Sequence, residues 1–197
     1  MSEIQIDFFT DIVCPWCFIG VTRLHQAIAS AGAAELVVHA RTRAEGYRPP
    51  AHWEWVARIG EVVQRPVTAN GEVWTTADHA RCCLVSGSDD VMIGRGAVAD
   101  PFLVRHIRSR VAGETIAADR SADWRQLQPL LASYWQQVCG KVSARQAPGR
   151  LKLWLSALRR NFAEADALFL GVRTLSDVGD VTRVLERHGV ADHSASG

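Results

Sequence analysis

The sequence contains no long hydrophobic run and no basic leader followed by an apolar segment. A membrane-spanning helix needs about 18 or more consecutive apolar residues, and no apolar stretch here approaches that length. A secretory signal needs a charged start before its apolar core. We therefore expect a cytoplasmic protein with no membrane partner. The total charge, 22 basic against 21 acidic residues, does not by itself indicate a nucleic-acid partner.

Cysteine is scarce and irregularly spaced. The five cysteines are an odd number without regular spacing, which argues against the disulfide framework of a small secreted domain. A zinc site at Cys14 and Cys17 would need two more ligands, and no second Cys-X-X-Cys is present, so no metal site is predicted. Cys82 and Cys83 fall in a helical pattern, where burial of a small thiol is the expected role. The cysteines are Cys14, Cys17, Cys82, Cys83 and Cys139.

Acidic residues are absent from residues 124–163, whereas basic residues continue through this stretch. A nearly neutral chain therefore has one locally basic segment. The basic residues in it are Arg125, Lys141, Arg145, Arg150, Lys152, Arg159 and Arg160.

Apolar patterning divides the first 112 residues into alternating strands and helices. The predicted strands are Ile4–Phe9, Glu35–His39, Pro66–Asn70 and Val91–Gly94. The predicted helices are Gly20–Ala31, Trp53–Gln64, Thr75–Ser86 and Asp100–Val111. Strands that alternate with helices of this length are typical of a parallel sheet covered by helices.

Beyond about residue 112 only helical patterns remain, which predicts a small all-helical C-terminal domain. The patterns are Trp124–Val138, Leu151–Phe162 and Leu175–His188. In the middle one, apolar residues occupy a single face, as expected of a helix packed on a core. That face comprises Leu151, Trp154, Leu155, Leu158 and Phe162. We expect the last residues, 191–197, to be a disordered tail.

Each of the three internal strands ends in polar or glycine residues, at 39–42, 70–72 and 94–96. Ligands of parallel sheets bind at the carboxyl ends of the strands, so these segments are expected to converge on one site. The turn from Gly94 to Gly96 suits a phosphate, because glycine allows close backbone approach and the following helix offers N–H groups. Arg95 adds a positive charge. The alternative is that polar residues and glycines simply end these strands, as they do in many proteins.

Three segments resemble the last three strands of the tRNA-dihydrouridine synthases. They are His39-Ala-Arg-Thr42 leading to Tyr47, Asn70-Gly-Glu-Val-Trp74, and Met92-Ile-Gly-Arg-Gly-Ala97. The later segment from Leu151 to Arg160 looks like the helical domain of the C-type branch, which reduces uridine in tRNA. The resemblance covers residues 31–190.

The resemblance implies a flavin site and an RNA-contact surface. FMN would be contacted by His39, Asn70, Gly71, Glu72, Gly94 and Arg95. Hydride would pass from NADPH through the flavin to uracil, while a cysteine from the front half of the barrel acts as general acid. Phosphates of tRNA would meet Arg150, Lys152, Arg159 and Arg160, although the alternative for each of these is a solvated helix face.

The fold implied is only part of the family's barrel. A (β/α)8 barrel has eight strands in about 250 residues, whereas about four strands are predicted here. The family's catalytic cysteine and a flavin-contacting lysine have no counterpart. We therefore predict an α/β chain, an incomplete parallel (β/α) TIM-type half-barrel followed by a small all-helical domain. It would be a catalytically incomplete fragment of an FMN-dependent tRNA-dihydrouridine synthase.

The N-terminal segment resembles another family. The sequence around Cys14-Pro-Trp-Cys17 is similar to the first strand and active-site turn of DsbA-like thiol-disulfide oxidoreductases, over residues 3–26. At a helix N-terminus Cys14 would be stabilised as the thiolate, and Cys17 would resolve a mixed disulfide. A thiol-disulfide oxidoreductase is therefore a second functional hypothesis.

A third hypothesis is a non-functional fusion of two gene remnants, which predicts poor solubility because unclosed strands leave sheet edges exposed. The predicted domains are a DsbA-like unit (1–30), the partial barrel (31–112), a helical tRNA-binding domain (113–190) and the tail (191–197). No residue pattern fixes the oligomeric state.

Overall fold

The computed structural model describes residues 34–42, 44–63, 65–114 and 119–190. The predicted N-terminal strand and helix, with Cys14 and Cys17, and the tail 191–197 lie outside these ranges. The chain forms two compact units, the first ending at Gly96 and the second beginning at Ala97. In the ranges described, no helix combines the length and apolar character that crossing a membrane requires.

The first unit contains a three-stranded parallel sheet in the order β1 (Leu36–His39), β2 (Val67–Asn70) and β3 (Val91–Met92). Helix α1 (Trp53–Val62) follows β1, and helix α2 (Thr76–Ser86) follows β2. This β-α-β-α-β order confirms the alternation predicted from the sequence. Because parallel strands need crossover connections, both helices are part of what makes this sheet possible.

The boundaries of α2 follow local signals in the sequence. Thr75 precedes α2, and its hydroxyl accepts a hydrogen bond from the Asp78 N–H while the Asp78 carboxylate accepts one from the Thr75 N–H. This reciprocal pair satisfies N–H groups that a helix N-terminus otherwise leaves unpaired. Gly87 ends the helix in the left-handed conformation, with φ +67°.

The core of the first unit lies between the sheet and its helices. It is small and built largely from alternate strand residues and one face of α1. Its buried members are Leu36, Val38, Ala40, Trp53, Val56, Val63, Ala69, Val73 and Cys82.

The part of the second unit that the structure describes is helical. Helix α3 (Arg95–Ala99) crosses the boundary between the units, and five longer helices follow. These are α4 (Leu103–Val111), α5 (Arg120–Lys141), α6 (Ala147–Leu158), α7 (Ala163–Val172) and α8 (Val178–Arg187). A small parallel sheet followed by helices confirms the predicted fold class of a partial α/β barrel with a helical C-terminal part.

The prediction of three C-terminal helices was wrong, because it lacked α7. The structure ends α6 at Leu158 and begins α7 as a separate helix at Ala163. Phe162 lies in the core, as predicted, but its backbone is extended, with φ −128° and ψ 117°. No glycine or proline marks this break. Asn161 instead stabilises the turn by donating a side-chain hydrogen bond to the Ala99 carbonyl at 2.9 Å. A long-range contact of this kind leaves no local sequence signal.

The core of the second unit is larger than that of the first. Leu151, Leu155 and Leu158 of α6 are fully buried, which confirms the predicted apolar face. Trp154 was assigned to the same face and is only partly buried, because it lies at the edge of this core. Two buried carboxylates of this unit contact basic side chains: Asp100 is 2.6 Å from Arg120, and Asp123 is 3.2 Å from His106.

Candidate functional site

The predicted flavin residues gather at one edge of the sheet. His39 and Asn70 are register partners at the ends of β1 and β2, and Asn70 pairs in turn with Met92 of β3. The Asn70 side-chain amide donates to the Met92 sulfur at 3.3 Å. The carboxyl ends of the three strands therefore lie side by side, as the strand-end pattern predicted.

The turn after β2 has a backbone conformation that depends on glycine. Gly71 has φ +127°, and Glu72 has φ +56°, a left-handed value that is uncommon for a residue with a side chain. The Gly71 carbonyl accepts a hydrogen bond from the Trp53 indole N–H at 2.9 Å. A Cβ at Gly71 would lie 3.5 Å from Cε1 of His39. This turn is thus held by α1 and lies directly against the His39 ring.

Glu72 lies between two arginines. Its Oε1 is 2.9 Å from Nη2 of Arg41 and 3.3 Å from Nη2 of Arg95, and it accepts a hydrogen bond from the Trp74 indole N–H at 3.1 Å. Burial tends to raise the pKa of Glu72, but the contacts with Arg41, Trp74 and Arg95 outweigh it and lower that pKa overall. Glu72 is therefore a carboxylate in the folded protein.

Arg41 is the buried member of this cluster, with no side-chain surface exposed to solvent. Its Nε donates to the Pro50 carbonyl at 3.3 Å. Its contact with Glu72 is a close charge pair without hydrogen-bond alignment, so that Nη1 and Nη2 both lack an aligned acceptor. A buried guanidinium with unused N–H groups is costly unless an acceptor reaches it.

Arg95 is the accessible member of the cluster. Its guanidinium stacks on the Tyr47 ring at 4.3 Å and lies 5.1 Å from the centre of the Trp74 ring, and 46% of its side chain is exposed. At the preceding residue, Gly94, a Cβ would meet nothing within 4 Å, so the space beside it is open. The helix that follows, α3, is only one turn long.

His39 is neutral at physiological pH. Burial is the main cause that lowers its pKa below the usual value, and the positive charge of Arg41 adds to it. An uncharged imidazole can both donate and accept a hydrogen bond, whereas the protonated ring can only donate.

The sequence prediction omitted four residues that contact the predicted flavin residues: Arg41, Tyr47, Trp53 and Trp74. Arg41 had a detectable signal, since it is a charged residue two positions beyond an apolar strand. The aromatic residues had none, because only the tertiary structure brings Tyr47 and Trp74 to the same arginine.

The structure shows specific contacts for two of the four predicted RNA-contact residues. Lys152 donates to the Leu175 carbonyl at 2.6 Å, and Arg159 pairs with Asp166 at 2.6 Å while stacking on Phe169. These two side chains have structural roles that the sequence did not reveal. Arg150 and Arg160 are exposed, and Arg150 forms no ion pair with any residue that the structure describes.

The cysteines of the described region are unsuited to nucleophilic chemistry. Cys82 is fully buried on α2, and burial raises its pKa to about 11. Burial likewise raises the pKa values of Cys83 and Cys139. Thiols in this state carry little thiolate at neutral pH. Among the described residues, no cluster of three or more His, Cys, Asp or Glu side chains could hold a metal ion.

Comparison with known proteins shows which family the chain belongs to. Residues 20–165 match the family model described as dihydrouridine synthase (Dus). The chain belongs to the dihydrouridine synthase family. The matched range includes all six predicted flavin residues and all four predicted RNA-contact residues.

Individual members of the dihydrouridine synthase family are closely similar to this chain. The tRNA-dihydrouridine(16) synthase of Aquipseudomonas alcaligenes is 52% identical over 160 residues, which are 81% of this chain and 50% of that protein. The enzyme of the same name from Ralstonia nicotianae is 49% identical over 165 residues, 84% of this chain and 49% of that protein. The chain thus spans about half the length of the curated relatives it matches.

Proposed function

We propose that this chain supplies the C-terminal part of the flavin site and the RNA-contact surface of a tRNA-dihydrouridine synthase. The observation that carries the proposal is the side-by-side placement of His39, Asn70 and the Gly94–Arg95 turn at one sheet edge, in a chain of this family. The reaction would be the NADPH-dependent reduction of uridine to dihydrouridine in tRNA. A tRNA substrate would place the protein in the cytoplasm.

The residues present fit FMN by their chemistry. Two guanidinium groups face one carboxylate in the Arg41–Glu72–Arg95 cluster, so the cluster has a surplus positive charge that suits a phosphate. Arg41 has buried N–H groups without an aligned acceptor, and the backbone beside Gly94 is open to a close approach. His39 and Asn70 add neutral donors and acceptors of the kind that bind the polar edge of a flavin.

Each residue of the cluster then has a distinct role. Arg95 would bind the phosphate, and the open backbone at Gly94 would let that phosphate approach. His39 and Asn70 would orient the ring system. When bound, FMN supplies hydride transfer, which amino-acid side chains cannot perform. We assign no proton donor to the described residues, because burial raises the pKa values of their cysteines.

Complete turnover would need more than the described residues. The three parallel strands are fewer than the eight of a closed barrel, and the relatives are about twice as long as the matched segment. We therefore propose that the described residues are not sufficient for catalysis by themselves, and that flavin binding can be tested independently of turnover.

The test is flavin retention. The purified chain is mixed with FMN and passed through a gel-filtration column, and the visible absorption of the protein fraction is recorded. We expect retained flavin in the wild-type protein and loss of it in Arg95→Ala. Arg58→Ala is the matched control, since Arg58 is an exposed arginine of α1 and is not part of the cluster.

Two results would contradict the proposal. Flavin retention equal to wild type in Arg95→Ala would show that the predicted phosphate site is not used. A soluble wild-type chain that remains colourless would show that the described strands do not suffice for flavin binding.

The thiol-disulfide hypothesis and the fusion hypothesis remain predictions from the N-terminal sequence. Disulfide reduction by the purified chain that is abolished in Cys14→Ser would support the first. An insoluble chain that retains no flavin would support the second.

A further inference from the structure

The second unit contains an open groove of about 550 Å³. It is formed by residues of α3, α5 and α6 and by the turn after α3. Most of its surface is apolar, and one arginine lies in its wall. The residues that define it are Val98, Pro101, Tyr134, Arg150, Leu153 and Trp154.

Two aromatic rings in the groove are held in fixed orientations. Tyr134 and Trp154 form an edge-to-face pair with their centroids 4.8 Å apart and their planes at 74°. The Trp154 indole N–H donates to the Val98 carbonyl at 3.2 Å, and the Tyr134 hydroxyl donates to the Arg150 carbonyl at 3.3 Å. Since both polar ends are bonded to the backbone, the apolar faces of the rings are what the groove offers to a ligand.

The charge in the groove is positive. Arg150 lies in its wall, and the groove includes no acidic side chain. The surrounding segment 124–163 has no aspartate or glutamate at all. Lys152 and Arg159 are bonded elsewhere, whereas Arg150 has no ion-pair partner among the described residues. The groove therefore matches a ligand that combines a flat apolar face with a negative charge.

We propose that this groove binds an unpaired nucleobase of RNA, stacked against the Trp154–Tyr134 pair, with an adjacent phosphate on Arg150. This inference rests on the proposed function, because tRNA is the RNA that the chain would meet. Stacking on aromatic side chains combined with cationic contacts to the backbone is how proteins hold single-stranded nucleic acid. The groove is too small for an amphipathic helix, which needs apolar anchors over several turns.

The experiment measures RNA binding by the full chain at several salt concentrations. The probes are an unmodified tRNA transcript and a single-stranded oligouridine, each fluorescently labelled. For Trp154→Ala we expect about tenfold weaker binding with an unchanged salt slope, because stacking is lost but no ion pair is. For Arg150→Ala we expect the salt slope to fall by about one, as when one phosphate contact is removed.

Arg125→Ala is the matched control for charge, since Arg125 is an exposed arginine of the same acid-free segment outside the groove. A second pair of variants covers the case in which Trp154→Ala fails to fold. Leu153→Glu places a negative charge in the groove at a side chain that is 67% exposed, and Leu170→Glu places one at a side chain of α7 that is 50% exposed and outside it. We expect more than tenfold weaker binding only for Leu153→Glu, with the melting temperature unchanged in both.

The outcomes separate the two proposals. If wild type binds tRNA and both Trp154→Ala and Leu153→Glu bind equally well, the groove is not an RNA site, and the proposed function stands without it. If wild type binds no RNA, both the groove and the proposed tRNA partner are wrong. If Leu153→Glu converts a dimer to a monomer while RNA binding is retained, the groove is an interface between copies of the chain and the RNA proposal is overturned.

Discussion

The buried guanidinium of Arg41 lies 2.9 Å from the carboxylate of Glu72, and this pair connects the end of β1 to the turn after β2. The carboxylate is shared with Arg95, which stands at the accessible side of the same cluster. Glu72 thus offsets a charge that has no solvent around it and also positions the arginine proposed to meet the flavin phosphate. Glu72 makes both contacts from a left-handed backbone conformation, with φ +56°.

Substitution of Glu72 should destabilise the protein more than substitution of Arg41. Glu72→Gln leaves Arg41 buried without a counter-charge and should lower the free energy of unfolding by about 3 kcal/mol. Arg41→Met should cost less, because Glu72 keeps its contacts with Arg95 and Trp74. Urea unfolding followed by tryptophan fluorescence measures both. A larger loss for Arg41→Met than for Glu72→Gln would contradict this account.

Gly71 should tolerate no side chain. At φ +127° an alanine is strained, and Gly71→Ala should destabilise the first unit by about 1–3 kcal/mol. The Cβ itself would make only ordinary contacts with His39, so the backbone is the cause. Gly60→Ala is the control, because Gly60 is inside α1 with open space around it, and the change should stabilise the helix by about 0.5–1 kcal/mol. Equal unfolding midpoints for the two variants would exclude backbone strain at Gly71.

The His39 imidazole should titrate below its usual pKa of about 6.5. Its pKa is lowered by burial first and by Arg41 second, so the unfolded chain binds this proton more readily than the folded one. His39 therefore makes the protein less stable as the pH falls below about 6.5 towards the folded pKa, and it has no such effect above that range. NMR titration of the His39 ring checks the direction.

The Arg41→Met variant should also change the pKa of His39. The variant should raise the His39 pKa part of the way towards its usual value, because burial persists while the positive charge is gone. An unchanged His39 titration in the variant would show that Arg41 has no influence on this ring.

Cys82 should be unreactive in the folded protein. Its thiol is buried and its pKa is raised to about 11, so almost no thiolate is present near neutral pH. With a thiol-specific alkylating reagent at neutral pH, peptide mapping by mass spectrometry should find Cys82 unmodified until urea is added. Modification of Cys82 in the native protein at the rate seen in urea would contradict its burial.

Local sequence patterns were enough to predict the elements of the first unit and one edge of its sheet. Short β-rich runs bounded by polar turns and amphipathic helices are local patterns, and they predicted β1 to β3, α1 and α2 with small errors at their ends. The alternation of these elements implied parallel strands, and parallel strands bring His39, Asn70 and the Gly94–Arg95 turn to a common edge. For that reason a ligand site could be predicted at this edge without a structure, whereas the assignment of flavin to it came from the resemblance to the dihydrouridine synthases.

The partners of the charged and aromatic side chains became visible only in the folded protein. Arg41 pairs with Glu72, Arg95 stacks on Tyr47, and Lys152 donates a hydrogen bond to the Leu175 carbonyl. The two partners in each of these contacts are far apart in the sequence. The break between α6 and α7 depends in the same way on Asn161 and the Ala99 carbonyl. Local propensity determines where a helix can form, whereas burial and long-range contacts determine where it ends and which of its cations remain available to a ligand.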